Sequence, residues 1–338
     1  MKKLSLALSL GAALLVLVSA PSTSAPSNSV AARDKQSILE LPESDTVSLR
    51  YLYVWKGVIV GESNAVLEQQ DTVWRMVFDF RTRGPLKWFS KGRHVISGVG
   101  RFQDDGSPLP GQYLSKGRWD GDDYLTDVTF DDASKATFVN VERPPKSEKK
   151  WPLEPVPDAL QTGPDPATLI MIMLEGSWLS EDGLASSASF DGSRVVEHSL
   201  TCDDQSTLLK EKDRSIFAGP ATECHYGFDI LAGHLIETEK QKRKRLKQQA
   251  KTERKAARAR ARGEDTSPKI WFAALNGADM QIPVRAHVYS GWGTVKMFLA
   301  DYGTDTDHPL ISEALALPVK DSAQDSNLGE ASVGAPAE

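Results

Sequence analysis

The sequence predicts a mainly β protein: a large curled antiparallel sheet, β-spiral or barrel-like, with one short apolar helix and one long basic helical insertion. Two observations predict this fold. From Leu49 onward, apolar residues alternate with other residues instead of recurring every three or four positions, and ten or more such segments are separated by turn residues. Because flat open sheets of that size are disfavoured, we expect the sheet to curl or close.

The overall charge hides a strong segregation along the chain. The 338 residues have a formal net charge of -6, but residues 237–262 contain 12 basic and 3 acidic side chains, a local charge of +9. The remainder of the chain is therefore acidic, at -15. A uniformly basic nucleic-acid binder is excluded by this distribution.

The N-terminus has the pattern of a secretory signal peptide, which we predict over residues 1–25 with cleavage between residues 22 and 31. Lys2 and Lys3 precede an apolar run from Leu4 to Val18, which is shorter than the ~20 residues of a membrane span. No cysteine precedes Cys202, which argues against a lipoprotein anchor. We therefore predict a soluble periplasmic protein.

Strand patterns fill the predicted single β-rich domain, residues 47–318. The segment 73–81 places aromatic and apolar side chains on one face and charged ones largely on the other, which is typical of an antiparallel sheet with one wet face. Another strand is predicted over residues 187–200. Residues 26–46 and the tail 319–338 have a composition typical of disorder.

One segment interrupts the strands with a helical pattern. Asp165 is suited to cap a helix and Pro166 to occupy its first position, and an apolar run follows to Glu175. Its near all-round apolarity predicts a plug in the concave side of the sheet, with a buried strand as the alternative.

Cys202 and Cys224 are the only two cysteines and lie 22 positions apart. In an exported protein they are predicted to form a structural disulfide, which would stabilise the fold by roughly 3 kcal/mol. Two free thiols are the alternative.

The basic segment 237–262 is rich in helix formers and contains no Gly or Pro. We predict a helix that projects into solvent, because only Leu246 is strongly apolar. It is either a solvated insertion without a partner or a contact for anionic lipid, lipopolysaccharide or another envelope polymer or protein; nucleic acid is not expected. The candidate contact residues are Lys242, Arg243, Lys244, Arg245, Lys247, Arg254, Lys255, Arg258, Arg260 and Arg262.

The sequence contains none of the common motifs for catalysis, cofactors or metals. The sequence has no G-x-S-x-G, Walker A, G-x-G-x-x-G or H-E-x-x-H motif, and its six histidines lack metal-ligand spacing. Asp120, Asp122 and Asp123 suggest a hairpin turn more than a calcium loop. We therefore predict a non-enzymatic protein without cofactor or metal.

Three further segments carry a resemblance when taken in order. An aromatic strand, YLYVWKGVIVGE, ends in a glycine turn; the segment SASFDGSRVVEHSL follows; and a Trp precedes Ile-Pro-Val-Arg. With the cysteine pair, they resemble the domain-of-unknown-function 3108 family of exported Gram-negative envelope proteins over residues 49–302. The matching motif residues are Phe190, Asp191, Gly192, Arg194, Trp271, Pro283 and Arg285.

The resemblance implies a curled, barrel-like periplasmic fold, similar in outline to β-spiral envelope-integrity proteins, and no catalytic residues. The basic insertion is longer than the family pattern suggests. We expect Asp191-Gly192 to form a tight turn and Arg194 to pair with a carboxylate on a neighbouring strand, with ligand contact as the alternative.

These observations lead to two functional expectations. The first is a non-catalytic periplasmic scaffold or binding protein that supports envelope integrity, with a basic arm for an anionic partner. The alternative is a carrier of a lipid or other apolar ligand in the concave sheet. It is suggested by aromatic residues on the predicted inner faces, namely Tyr51, Tyr53, Trp55, Trp74, Phe78 and Phe80.

Overall fold

Antiparallel strands make up most of the chain. The computed structural model describes residues 39–40, 45–88, 90–176, 184–210, 212, 214–263, 266–276, 280–290 and 293–304. The predicted signal peptide and the predicted tail lie outside the described residues.

The described residues form fourteen strands and three α-helices. The strands are β1 (Leu39–Glu40), β2 (Thr46–Trp55), β3 (Val58–Gln70), β4 (Val73–Thr82), β5 (Gly92–Phe102), β6 (Pro108–Trp119), β7 (Asp122–Phe130), β8 (Ala136–Glu142), β9 (Leu184–Phe190), β10 (Val195–Leu208), β11 (Pro220–Ala232), β12 (Lys269–Asn276), β13 (Met280–Ser290) and β14 (Gly293–Gly303). The helices are α1 (Pro145–Lys150), α2 (Pro166–Glu175) and α3 (Glu239–Arg260).

All fourteen strands belong to one sheet. The order is β8-β7-β6-β5-β4-β3-β2-β14-β13-β12-β11-β10-β9, with β1 attached in parallel to β12. Every other pairing is antiparallel, including the long-range pairing of β14 with β2 that joins the two halves. The predicted fold class is confirmed. The short pairing of Leu39 and Glu40 with β12 is a correction, since residues 26–46 were expected to lack structure.

The alternation along β4 explains how the sheet acquires two different faces. Trp74 and Met76 are almost fully buried in the main core, as period-two geometry requires of residues on one face. Asp79, on the other face, is also buried, and its two carboxylate oxygens accept hydrogen bonds from the Arg93 guanidinium at 2.9 Å. Here the outer face carries a buried, paired charge, and it also holds the buried apolar pair Val66 and Val77.

Helix α2 lies inside the curled sheet and contacts β5 and β6 from one half and β9 and β13 from the other. The Asp165 carboxylate accepts hydrogen bonds from the backbone N–H groups of Ala167 and Thr168, which satisfies two N-terminal donors. Gly98 of β5 allows the close approach, because a Cβ there would lie 2.3 Å from the Cβ of Ala167. The prediction of a capped apolar plug is confirmed.

The chain segment before α2 bridges the two free edges of the sheet. At the β8 edge, the N–H of Ala136 donates to the carbonyl of Gln161 at 2.9 Å. At the β9 edge, the N–H of Phe190 donates to the carbonyl of Pro164 at 3.0 Å. Residues 161–164 therefore occupy the gap between strands that do not pair with each other.

The predicted strand over residues 187–200 is wrong in one respect, because it is two strands joined by a turn at residues 191–194. The Asp191 carboxylate accepts hydrogen bonds from the backbone N–H groups of Ser193 and Arg194. These two hydrogen bonds take the place of strand pairing at residues 191–194 and stabilise the reversal of the chain. The predicted tight turn is therefore confirmed.

Gly192 is required in this turn for two reasons. Its φ is +90°, and a Cβ would lie 2.7 Å from Thr126 Cγ2 and 3.0 Å from Val128 Cγ2 on β7. The β9–β10 turn is therefore packed directly against the strands near the opposite edge of the sheet.

We expect Gly192→Ala to destabilise the protein more than Gly121→Ala. Both positions have φ near +90°, but a Cβ at Gly121 meets nothing within 4 Å, so only the Gly192 variant adds a packing conflict. Overpacking of this kind costs about 1–3 kcal/mol. The free energy of unfolding in urea should differ between the variants by that amount. Equal losses would show that the turn does not pack against β7.

A second prediction concerns Asp165. Burial raises its pKa to about 6, although hydrogen bonds from Thr168 and Ala167 act in the opposite direction. A raised folded-state pKa contributes stability below the unfolded value of 3.8, and that contribution is lost as pH rises through about 6. Asp165→Asn keeps a good capping side chain but does not titrate.

The stability of the wild-type protein relative to Asp165→Asn should therefore fall between pH 4 and pH 7, by up to about 3 kcal/mol. Urea unfolding of both proteins across this range measures the difference, and groups that titrate in both proteins cancel. A difference that is independent of pH would contradict the assignment.

Candidate functional site

An apolar cavity lies between α2 and the concave face of the sheet. Its volume is about 180 Å³. Its walls come from both halves of the sheet and from one side of the helix, so α2 fills the concavity only in part. The lining residues are Leu49, Tyr51, Tyr53, Ala65, Leu67, Met76, Phe78, Ile96, Leu169, Ile170, Met173, Leu174, His198, Tyr226, Phe228, Pro268, Lys269, Ile270, Phe272, Pro283, Ala286, Val288 and Met297.

The cavity reaches the surface beside β11. Phe228 borders it and is 46% exposed, and its ring stacks on Tyr226 at a centroid distance of 6.2 Å. On the neighbouring strand, Lys269 borders the cavity and forms an ion pair with Glu223. A molecule could therefore enter past an aromatic pair without crossing an uncompensated charge.

His198 is a buried polar residue in the wall with both ring nitrogens occupied. One nitrogen, Nε2, lies 2.9 Å from Ser189 Oγ, and the other, Nδ1, lies 2.7 Å from the Tyr226 hydroxyl. Burial lowers the pKa of His198 to about 4, so the ring is neutral near pH 7. The three groups fix the position of Tyr226 and leave the wall without a net charge.

Two tyrosines of β2 border the cavity, and their hydroxyl groups differ. The Tyr53 hydroxyl lies 3.1 Å from Ser63 Oγ. The Tyr51 hydroxyl is buried and has no hydrogen-bond partner within the described part of the chain. Burial, with a smaller effect from Tyr53, raises the pKa of Tyr51 well above its usual value, so the group is a neutral O–H donor.

Sequence patterns identified some of these wall residues and missed others. Tyr51, Tyr53 and Phe78 were expected on the inner face and do line the cavity. Trp74, from the same set, instead packs in the core, and its indole N–H donates to the Leu109 carbonyl at 3.2 Å. His198 was not singled out, because its role depends on Tyr226, which is 28 positions away in sequence.

The predicted disulfide is confirmed. Cys202 and Cys224 are directly opposed on β10 and β11 and joined by an S–S bond. Both are buried against Leu200 and Phe272. The bond therefore links two adjacent strands inside a small apolar cluster, as expected for a structural crosslink.

Three of the motif residues lie on β12 and β13. Trp271 is paired with Arg285, and its indole N–H donates to the Glu223 carboxylate at 2.9 Å. Arg285 is buried, donates to the Lys210 carbonyl, and lies over the Phe298 ring. Pro283 sits at the register shift of the β12–β13 pairing, where a strand tolerates a proline.

Phe190 and Arg194 complete the placement of the predicted motif. Phe190 is buried in the main core. The expectation that Arg194 pairs with a carboxylate on a neighbouring strand is wrong within the described residues. The carboxylate that acts on it is Asp191, three positions away in the same turn, and the positive charge of Arg143 acts in the opposite direction. Of the predicted motif residues, only Pro283 lines the apolar cavity.

Helix α3 carries the candidate basic residues except Arg262, which follows its end. It spans Glu239–Arg260, slightly shorter than predicted, and begins with a capping box between Thr238 and Gln241. All ten candidate side chains are exposed, and Arg245 pairs with Glu237. Ala259 is buried, so the last turn of the helix packs against the rest of the protein. The expectation of a helix solvated along its whole length is therefore wrong at this end.

The described residues contain no group of three or more His, Cys, Asp or Glu side chains suited to hold a metal ion. Asp120 and Gly121 both have positive φ and form the β6–β7 hairpin turn. The sequence analysis favoured this turn over a calcium loop. Within the described part, each helix is either too short or too polar to span a bilayer.

Comparisons with known proteins are sparse. No family model and no curated protein matches this chain, so the resemblance to the 3108 family remains a prediction. Among solved structures, the chain is similar to a β-barrel-like protein of domain of unknown function DUF1849 from Brucella abortus, with a TM-score of 0.36 and 10% identity. That match covers 76% of this chain and 96% of the other; at this score it carries no further argument.

Proposed function

We propose that this protein is a non-catalytic binding protein for an apolar or amphipathic molecule, which occupies the cavity between α2 and the curled sheet. The observation that carries the proposal is the cavity itself, about 180 Å³ and lined almost entirely by hydrocarbon and aromatic side chains. Concave apolar sites with a few placed polar groups are the usual form of small-molecule sites.

The size and chemistry of the cavity define the class of ligand. An apolar cavity of ~150 Å³ stays dry and binds benzene in another protein, so this one is large enough for an aromatic ring or a short stretch of acyl chain. A longer molecule would leave the cavity beside the exposed Phe228. Burial of ligand surface would stabilise the complex by about 25 cal/mol per Å² before the costs of association.

We further propose that the protein acts in the periplasm and supports the cell envelope. The N-terminal pattern of Lys2, Lys3 and the apolar run supports export, and a disulfide between Cys202 and Cys224 suits an oxidising compartment. The resemblance to the 3108 family supports the same location.

A cavity-filling substitution tests the binding proposal. Ala286 borders the cavity on β13, whereas Ala300 is buried on β14 and does not border it. Ala286→Leu should weaken binding of isopropylbenzene by at least about tenfold, because the added side chain occupies the site. Ala300→Leu should lose stability through overpacking but retain binding.

Isothermal titration and ligand-induced shifts in Tm provide the measurement. Native mass spectrometry of the protein purified from its own cells should show a retained lipid or other apolar molecule. Absence of isopropylbenzene binding to the wild-type protein, or equal binding by both variants, would contradict the proposal.

A second candidate function is contact with an anionic envelope partner through α3. The observation that favours it is the set of ten exposed basic side chains, nine on α3 and Arg262 just after its end. Each basic residue near an anionic membrane surface contributes on the order of 1 kcal/mol, and the effect should weaken with salt.

Matched charge removal tests this second function. A variant with Arg243, Lys244, Lys247 and Arg254 changed to Gln should be retained at least about tenfold less by anionic phospholipid vesicles at low salt. A control with four exposed lysines of the sheet region changed to Gln has the same net charge; these are Lys87, Lys91, Lys116 and Lys296. Equal losses would mean that net charge, and not the helix, attracts the vesicles.

A further inference from the structure

Three arginines on the outer face of the sheet converge on one carboxylate. Glu62 of β3 is only 8% exposed. Its carboxylate oxygens lie 2.7 Å from Arg83 Nε, 3.3 Å from Arg81 Nη2 and 3.5 Å from Arg50 Nε. In the part of the chain that the structure describes, these are the ion pairs that the three arginines form. Their side chains are named here the arginine cluster.

Glu62 is ionised and fixes the positions of the guanidinium groups around it. Burial alone would raise the pKa of Glu62, but the hydrogen bond from Arg83 and the charges of all three arginines outweigh burial and lower it. One carboxylate balances only one of the three positive charges. The cluster therefore carries an excess of positive charge on a surface that also exposes it to solvent.

Neighbouring strands do not remove this excess. Arg81 lies directly opposite Arg93 on β5, and like charges in that position destabilise a sheet, although Arg93 is paired with Asp79. On the other side, Asp301 of β14 lies opposite Arg50. Its carboxylate accepts a hydrogen bond from the backbone N–H of Tyr302, and even with this charge counted the cluster stays positive.

The cluster also has hydrogen-bond donors open to solvent. Its side chains are 33% to 39% exposed, although the Nε atoms of Arg50 and Arg81 are buried. Arg83 uses Nε to bind Glu62, so its two terminal nitrogens point away from that contact. A guanidinium held at one edge presents its other N–H groups as a rigid fork that matches two oxygens of a phosphate group.

We propose that the arginine cluster is a binding site for the phosphate group of a phosphate monoester. Arg50 and Arg83 donate to the phosphate oxygens through their terminal nitrogens, and Arg81 supplies further positive charge. Glu62 holds the guanidinium groups in place before the anion arrives, which reduces the entropic cost of binding.

A phosphate monoester fits this site better than a carboxylate does. It carries nearly two negative charges and three acceptor oxygens at neutral pH, so it can engage two guanidinium groups at once. A carboxylate has one charge and two oxygens, and Glu62 already supplies one to the cluster.

The site is separate from the apolar cavity. Along β2, Arg50 alternates with Leu49 and Tyr51, which border the cavity, so Arg50 lies on the opposite face of the sheet. The inference goes beyond the proposed function and does not depend on it.

Titration calorimetry of the full protein with methyl phosphate at low salt and pH 8 tests the site. Arg83→Gln should weaken binding at least about tenfold, because it removes charge-assisted hydrogen bonds to the anion. Arg50→Gln is a second variant with the same expected effect. Arg75→Gln is the matched control, because Arg75 lies on the same face and is paired one to one with Glu68 at 3.1 Å; it should change the affinity by less than about twofold.

The basic helix α3 is a second place where an anion could bind, so the variant with four Gln substitutions in α3 is included. It should bind methyl phosphate as tightly as the wild-type protein does. Dimethyl phosphate, a diester with a single charge, should bind at least about fivefold more weakly than methyl phosphate.

Two further probes identify what carries the phosphate group. Glycerol 3-phosphate presents it in solution, and phosphatidic acid presents it on vesicles. Both are measured on the α3 variant with and without Arg83→Gln. Weaker binding of glycerol 3-phosphate on Arg83→Gln assigns a soluble ligand, whereas reduced retention on vesicles alone assigns a lipid.

The outcomes are distinct from those for the cavity. The site is overturned if methyl phosphate does not bind the wild-type protein, if the α3 variant loses binding, or if Arg83→Gln and Arg75→Gln weaken it equally. Arg83→Gln should bind isopropylbenzene with wild-type affinity, because the arginine cluster does not border the cavity. Failure of isopropylbenzene to bind the wild-type protein would contradict the cavity proposal and leave the phosphate site standing.

Discussion

The fold depends on how a long open sheet satisfies its two free edges. Strands β8 and β9 end the sheet, and each would expose backbone N–H and C=O groups that must find partners. Residues 161–164 supply partners at one end of each edge strand, through the Gln161 carbonyl to Ala136 and the Pro164 carbonyl to Phe190. Because one short segment is bonded to both edge strands, the two edges lie close to each other. The sheet between them is therefore curled. Because α2 begins at Pro166, the same segment also delivers the helix into the concave side.

The cavity follows from a mismatch of length between helix and strands. The ten residues of α2 span about 15 Å, whereas the fourteen residues of β10 span up to about 45 Å. A short helix anchored by its capped N-terminus and by Gly98 can fill only part of such a concavity. The remaining space is bounded by apolar faces of strands from both halves, because period-two alternation directs those side chains inward. Water gains few partners there, so the space suits an apolar occupant.

Local sequence patterns predicted the local parts of this structure. The alternation around β4 and the Asp165-Pro166 start of α2 depend on neighbouring residues, and both were predictable. The closure at residues 161–164 was not, because an irregular segment has no periodicity and its partners lie about 25 residues away along the chain. The wall was predicted in part: aromatic residues of β2 were expected to face inward, but the link between His198 and Tyr226 depends on the β10–β11 register. That the buried Tyr51 hydroxyl has no partner among the described residues depends on its three-dimensional surroundings, which no sequence pattern contains.

The buried polar groups of the motif residues and of the cavity residues differ in whether they have hydrogen-bond partners. Asp191 has its partners within its own turn, and the Trp271 indole N–H is bonded to Glu223. A buried polar group with protein partners stabilises the fold and gains nothing from a ligand. Tyr51 is the opposite case, since the residue borders the cavity and its buried hydroxyl has no such partner among the described residues. The family-like motif therefore describes mainly how the sheet is turned and packed, and of its residues only Pro283 lines the cavity.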